Sequence, residues 1–329
     1  MVAQIVRQGA ESFSGVRPLN AARDLPQVAL LLEEAFRDDL GALHMWARVP
    51  LLRNLGAVLA STAFMPMPTE SLRGFVYEEH GRIVGNVTLT LDDSRTARWM
   101  ISNVAVAEKY RRRGLARQLM QAAIDEARAR NARWLILNVR PWNTAAIRLY
   151  ETLGFQVADT EMQYIRTRAR AFNAAPLPIR RLRDNEYRAA YQLAQDSLGD
   201  LLRMFRPPLQ SDFAVRLEDR LAERMLDFFI FQATERWGYF PDDKLTALIT
   251  LHAQKLGTPH KLDIRVLPHA RGSIEAGLVA AALARLAQFP ERDIQARALT
   301  GHIELVNALA DAGFVPTRGL TLMYKNFRY

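Results

Sequence analysis

The sequence predicts an α/β protein built twice, each half a mixed sheet with helices on both faces. Three observations carry this. Residues 101–155 read as a buried strand, a tight basic turn, an amphipathic helix, a second buried strand and a second helix, the alternation of a sheet covered by helices. Short segments then recur at a nearly constant separation. Ile179-Arg-Arg-Leu182 echoes Val16-Arg-Pro-Leu19 at 163, Leu248-Ile-Thr-Leu251 echoes Thr88-Leu-Thr-Leu91 at 160, and Ala312-Gly313-Phe314 echoes Leu153-Gly154-Phe155 at 159. Met323-Tyr324 likewise echoes Gln163-Tyr164 at 160, which together is what a duplicated domain leaves behind. Finally, 329 residues is long for one compact unit.

The elements follow in order. A short strand at Val16 to Leu19 precedes a helix from about Leu25 to Arg37, apolar at Val28, Leu31, Leu32 and Phe36. A less regular apolar segment runs from Ala42 to Met67. Residues 74–91 alternate on both sides of His80-Gly81, a hairpin signal. After Phe155 a last strand is expected near Met162 to Arg168. The Ala/Pro-rich stretch from Ala171 to Pro178 reads as a linker, which sets domains at 1–172 and 173–329.

The turn Arg111-Arg112-Arg113-Gly114-Leu115-Ala116 carries the chemistry of the first half. It exposes backbone N–H groups at the start of a helix, where the aligned peptide dipoles favour an anion. Gly114 has no Cβ and lets a diphosphate approach closely, and small Ala116 keeps the next turn open.

Arg-x-x-Gly-x-Ala after a strand, followed by Asn143-Thr-Ala-Ala-Ile-Arg-Leu-Tyr150-Glu-Thr-Leu-Gly154-Phe155 after the next strand, resembles two successive motifs of the GNAT superfamily of N-acetyltransferases. The resemblance implies two tandem GNAT-like domains, each a mostly antiparallel sheet with a central parallel strand pair. It implies acetyl-CoA as co-substrate, its pantetheine arm pairing like an extra strand against Val104 to Val106. The diphosphate would sit over the amides of Arg112 to Arg117, with Arg111, Arg113, Gly114, Leu115 and Ala116 shaping the turn and Asn143 among the coenzyme-binding residues.

The second half departs where chemistry would occur. Opposite the turn it has Arg271-Gly272-Ser-Ile274-Glu275, in which Ile274 replaces the small residue and Glu275 adds negative charge. Tyr150 maps to Leu309 and Asn143 to His302. The expectation is a catalytic domain at 1–172 and a degenerate copy at 173–329.

Composition narrows the alternatives. There is no cysteine, which excludes disulfides, thiolate metal sites and a cysteine acyl-enzyme. The six histidines show no metal-ligand spacing, so no metal is expected. The net charge of +9 divides as +6 and +3 between residues 1–172 and 173–329, without a basic stripe interleaved with aromatics, which argues against a nucleic-acid partner. No apolar run spans a bilayer and no signal peptide is visible, so a cytoplasmic protein with no membrane partner is expected.

A protonated amine must lose one proton before attacking a thioester, and another must reach the departing thiolate. Tyr150 is the candidate for the second task, because a phenol can donate to a thiolate and its helix would aim it at the sulfur. Backbone N–H groups of the motif strand would hold the oxyanion during direct attack in a ternary complex. For the base, Glu78, Glu79, Asp92, Asp93 and water relayed by Ser102 or Asn103 stay open. The acceptor, a small-molecule or peptide amine, is not legible, and neither is the oligomeric state. A non-catalytic acyl-CoA sensor is the competing expectation.

Overall fold

A computed structural model gives the fold and describes residues 13–36, 72–167, 172–213 and 216–327. The apolar segment from Ala42 to Met67 lies outside the described residues. Contacts divide the chain into two compact units, 1–139 with 144–156 and 323–329, and 140–143 with 157–322. The boundary at 172 marks where the repeat starts again in sequence, whereas in space each unit takes chain from both sides of it.

Unit 1 runs β1 (Ser14–Pro18), α1 (Ala21–Ala35), β2 (Leu72–Glu79), β3 (Arg82–Asp93), β4 (Arg98–Val106), α2 (Leu115–Ala129), β5 (Trp134–Val139) and α3 (Thr144–Thr152). Helix α1 starts a turn before its apolar stripe because the Asn20 side chain accepts the Arg23 amide at 3.2 Å and caps it. The hairpin forms at His80-Gly81, both at positive φ (51° and 79°), the backbone that a two-residue turn between twisted strands requires. Neighbouring strands β1 to β4 pair antiparallel, and β4 pairs parallel with β5.

Helix α2 buries Leu115, Leu119, Met120, Ala123, Ile124 and Ala127, one face at helical spacing, against this sheet. Met323 and Phe327 from the end of the chain complete the same core. The Phe327 N–H donates to Arg133 O at 3.0 Å, and the Tyr324 ring lies 6.0 Å from Trp134. The Lys325 Nζ donates to Leu153 O at 2.7 Å, closing the C-terminal end of α3.

Unit 2 repeats the plan with β7 (Ile179–Arg181), α4 (Tyr187–Asp196), α5 (Asp200–Phe205), α6 (Leu217–Phe229), β8 (Gln232–Tyr239), β9 (Ala247–Gln254), β10 (His260–Val266), α7 (Glu275–Leu286), β11 (Ile294–Leu299) and α8 (Ile303–Asp311). It also holds nearly all of β6 (Gln156–Arg166) and the first part of β12 (Val315–Asn326). Its strands order β6-β11-β10-β9-β8-β7, with β10 and β11 parallel and the other neighbours antiparallel.

The duplication is visible at single hydrogen bonds. Gly154 and Gly313 take φ of 83° and 86°, where a side chain is strained. Phe155 N–H donates to Tyr150 O at 3.0 Å, and Phe314 N–H to Leu309 O at 3.0 Å. Both phenylalanines are buried. The same C-terminal helix stop therefore recurs 159 residues later. Among the described residues no helix is long and apolar enough to cross a membrane.

Candidate active site

The site of unit 1 opens where two parallel strands stop pairing. Strands β4 and β5 match only from Arg98 opposite Trp134 to Ile101 opposite Leu137. Beyond that point Ser102 to Val106 continue without β5 as partner. On its other side β4 shifts register against β3 between Asn86 opposite Ala105 and Thr88 opposite Ser102, so an extra residue bulges out. The bulge is Asn103, at φ 53°, a conformation that asparagine tolerates better than most residues. The buried Asn86 side chain fixes it, donating from Nδ2 to Asn103 O at 2.9 Å. Sequence reasoning missed this device; the only signal was an asparagine inside a strand of apolar alternation.

The turn after β4 folds as the motif requires. Arg112 (φ 62°) and Gly114 (φ 80°) both take the left-handed conformation, which turns successive amides toward one concave point. Helix α2 then starts with no side-chain cap and no acidic residue in its first turn. Its N-terminal amides therefore have no side-chain cap among the described residues. The arginine side chains divide their duties: Arg111 Nε donates to Val106 O at 3.2 Å, Arg113 pairs with Glu79 at 2.7 Å, and Arg117 donates to Thr152 Oγ1 at 2.7 Å. Leu115 is buried under the helix, Ala116 is half-buried, and Arg112 is exposed. Val104 and Val106 are half-buried against the core that holds Tyr150. Asn143 is exposed at the head of α3, its N–H donating to Arg140 O at 2.9 Å.

Tyr150 is 6% exposed, with its ring 6.1 Å from that of Phe155. Burial pushes its phenol up to about 12, with no offsetting charge or hydrogen bond among the described residues. It stays protonated throughout the working range and can only donate.

The carboxylates open as general bases are all engaged. Glu78 pairs with Arg17 at 2.6 Å and Arg23 at 3.1 Å, and Asp92 with Arg98. Arg113 beside Glu79 holds that carboxyl below its usual range. Asp93 is held down likewise, by the Thr96 hydroxyl and the Arg95 amide. Each of the four thus already has a cationic or hydrogen-bonding partner.

Unit 2 has the same turn with its anion built in. Gly272 again takes positive φ (97°), but its amide donates to Glu275 Oε1 at 3.2 Å and Oε2 at 3.0 Å. The Ile274 amide donates to Oε2 at 3.2 Å. Glu275 is 3% exposed, and His302, in the position of Asn143, stands with Nε2 at 2.8 Å from its Oε1. Desolvation of Glu275 raises its pKa, yet His302 and the amides outweigh it and hold the carboxyl below its usual range. Sequence reasoning expected Glu275 to repel a diphosphate; the carboxylate in fact occupies the amides a diphosphate would use. Glu275, His302 and Glu304 also offer ligand atoms within 4.8 Å of one another, a grouping that histidine spacing alone did not flag.

Residues 30–155 match the family described as "Acetyltransferase (GNAT) family". With the bulged strand and the open parallel pair in place, residues 30–155 thus match a GNAT domain, and the second unit repeats its fold. It is 41% identical over 92 residues to the [Ribosomal protein bS18]-alanine N-acetyltransferase of Salmonella typhimurium, covering 25% of this chain and 62% of that one. It is 38% identical over 95 residues to the N-alpha-acetyltransferase daf-31 of Caenorhabditis elegans, covering 27% and 52%. The chain thus spans only about half to three-fifths of these relatives. A solved GCN5-related N-acetyltransferase from Sphaerobacter thermophilus shares the fold along nearly the whole length, with TM-score 0.56, 15% identity, and 95% and 96% of the two chains covered.

Proposed function

We propose that this protein is an acetyl-CoA-dependent N-acetyltransferase whose single active site lies in unit 1. The observation that carries the reading is the contrast between the two turns: the amides at the start of α2 have no built-in anion, whereas those before α7 hold Glu275. The coenzyme diphosphate binds at Arg112 to Arg117. The pantetheine amides pair with the edge of β4 left free from Ser102 to Val106, and the bulge at Asn103 turns a strand amide toward the thioester oxygen.

The amine attacks the thioester carbon directly, the C–S bond breaks as the tetrahedral intermediate collapses, and Tyr150 donates its proton to the leaving sulfur. Dry surroundings raise the phenol to about 12 and raise the thiolate's basicity in the same direction, so donor and acceptor remain matched.

The acceptor is the α-amino group of a peptide or protein. An α-amine has pKa near 8, so roughly a tenth is neutral at pH 7, against less than about a thousandth of a lysine near 10.4. Such an acceptor needs only water relayed by Ser102 or Asn103 to take its proton, which suits a site where Glu78, Glu79, Asp92 and Asp93 are committed to arginines or to hydroxyl and amide donors. The relatives' names point the same way, being acetyltransferases of a ribosomal-protein alanine and of N-alpha groups. Coenzyme release with acetyl-CoA, measured against free-amino peptides, N-capped lysine peptides, polyamines and aminoglycosides, tests the reading. Release with free-amino peptides alone is expected; turnover confined to capped lysine peptides or small polyamines contradicts the acceptor class. Coenzyme binding without turnover on any amine would leave an acyl-CoA sensor.

A further inference from the structure

Helix α6 is built inside out. The residues it turns toward its own unit are polar: Glu223 meets Arg236 at 2.8 Å, and Asp227 accepts from the Thr234 amide at 2.7 Å and the Gln232 side chain at 2.9 Å. The Arg220 guanidinium lies over the Tyr187 ring at 5.5 Å. The opposite face carries Leu217, Leu221, Met225, Phe228 and Phe229, exposed by 53 to 77%, and no residue of the helix is buried. An ordinary surface helix does the reverse.

We propose that this face is the interface of a homodimer, in which α6 packs antiparallel against α6 of a second copy. Three features select that occupant. The apolar positions step by 4, 4 and 3 residues from Leu217 to Phe228, the seam of a helix that packs on another helix of the same kind. A twofold axis midway between Leu221 and Met225 sets those two against each other and Leu217 of one copy against Phe229 of the other, so one stripe serves both sides.

The area fits as well. Five large side chains, each leaving on the order of 100–150 Å² open, exceed a typical monomer patch and approach the ~800 Å² per partner of a stable interface. The charge argues against a membrane: α6 holds four acidic residues and two arginines, the wrong sign for an anionic lipid surface.

Sedimentation velocity of the full chain at micromolar concentration tests the proposal. The native chain is expected at twice the 37.3 kDa of one copy, and Leu221→Asp/Phe228→Asp at one copy. Because both side chains are exposed, the variant's circular dichroism and melting should be unchanged; if it does not fold, Met225→Lys gives the same readout. A native chain that stays at 37.3 kDa, or a variant that remains dimeric, overturns the proposal. A native monomer that pellets with vesicles of mixed zwitterionic and anionic lipid would assign the face to a membrane instead.

Discussion

His302 Nε2 lies 2.8 Å from Glu275 Oε1, and the same carboxylate takes the amides of Gly272 and Ile274. A histidine from the head of one helix thus holds an acidic side chain against the turn, whereas the helix at Leu115 in the other unit starts with no side-chain cap. In the second unit the amides of that turn already have an acceptor from the chain itself.

This arrangement predicts a stability effect without a catalytic one. Glu275→Ala removes the acceptor of the Gly272 and Ile274 amides and orphans the buried His302 ring, at a cost of about 1–3 kcal/mol at neutral pH. The folded pKa of Glu275 is depressed, so its contribution is present above the unfolded value and lost as pH falls through the folded one. Melting curves should therefore converge for native and Glu275→Ala proteins as pH drops below the usual carboxylate range. Equal melting at pH 7 would mean that the carboxylate holds nothing.

Tyr150→Phe removes a proton donor and, among the described residues, no hydrogen bond. Turnover should fall roughly 10²-fold or more while coenzyme affinity and melting stay close to native, because general acid catalysis acts on the transition state alone. Since the phenol is pushed up to about 12, the native rate should show no basic limb from Tyr150 below pH 11. Unchanged turnover in the variant would reduce Tyr150 to packing.

The bulge offers a third test. Asn86→Ala deletes the donor that pins Asn103 O and frees β4 to re-pair in regular register with β3. The coenzyme should bind about tenfold more weakly, some 1.4 kcal/mol, with melting lowered by a similar energy. Native affinity in this variant would show that the strand edge holds its shape by other means.

What the sequence made legible were features written in consecutive residues. Arg111 to Ala116 announced the turn, and the 159-residue echo of Gly154-Phe155 in Gly313-Phe314 announced the repeat, because a backbone at positive φ permits few residue types. Long-range pairings left no such mark. Nothing near Glu78 or Glu79 in sequence names Arg17 or Arg113 as their partners, and Lys325 lies 172 residues from the carbonyl it caps. The same holds for Glu275: its charge was legible, but not that it would fold back onto its own turn.

The exchange of chain ends predicts how a truncation fails. A fragment ending at Ala174 lacks Met323 and Phe327 from the core of unit 1, and Lys325 from the end of α3. Losing two buried apolar side chains costs about 3–6 kcal/mol, much of a domain's stability. The fragment should be poorly soluble or molten by near-ultraviolet circular dichroism. A soluble, cooperatively melting fragment would show that unit 1 does not need the end of the chain. A milder variant, Gly154→Ala, places a Cβ 2.6 Å from Lys325 Nζ at a positive φ and should lower stability by about 1–2 kcal/mol.

The most direct test of the account is the stoichiometry of acetyl-CoA binding by calorimetric titration of the full chain. One site per chain is expected, abolished by Gly114→Glu, which would bring to the first turn the kind of carboxylate that Glu275 brings to the second, and unaffected by Ile274→Glu. Two equivalent sites, or a single site that survives Gly114→Glu and is lost with Ile274→Glu, would contradict it.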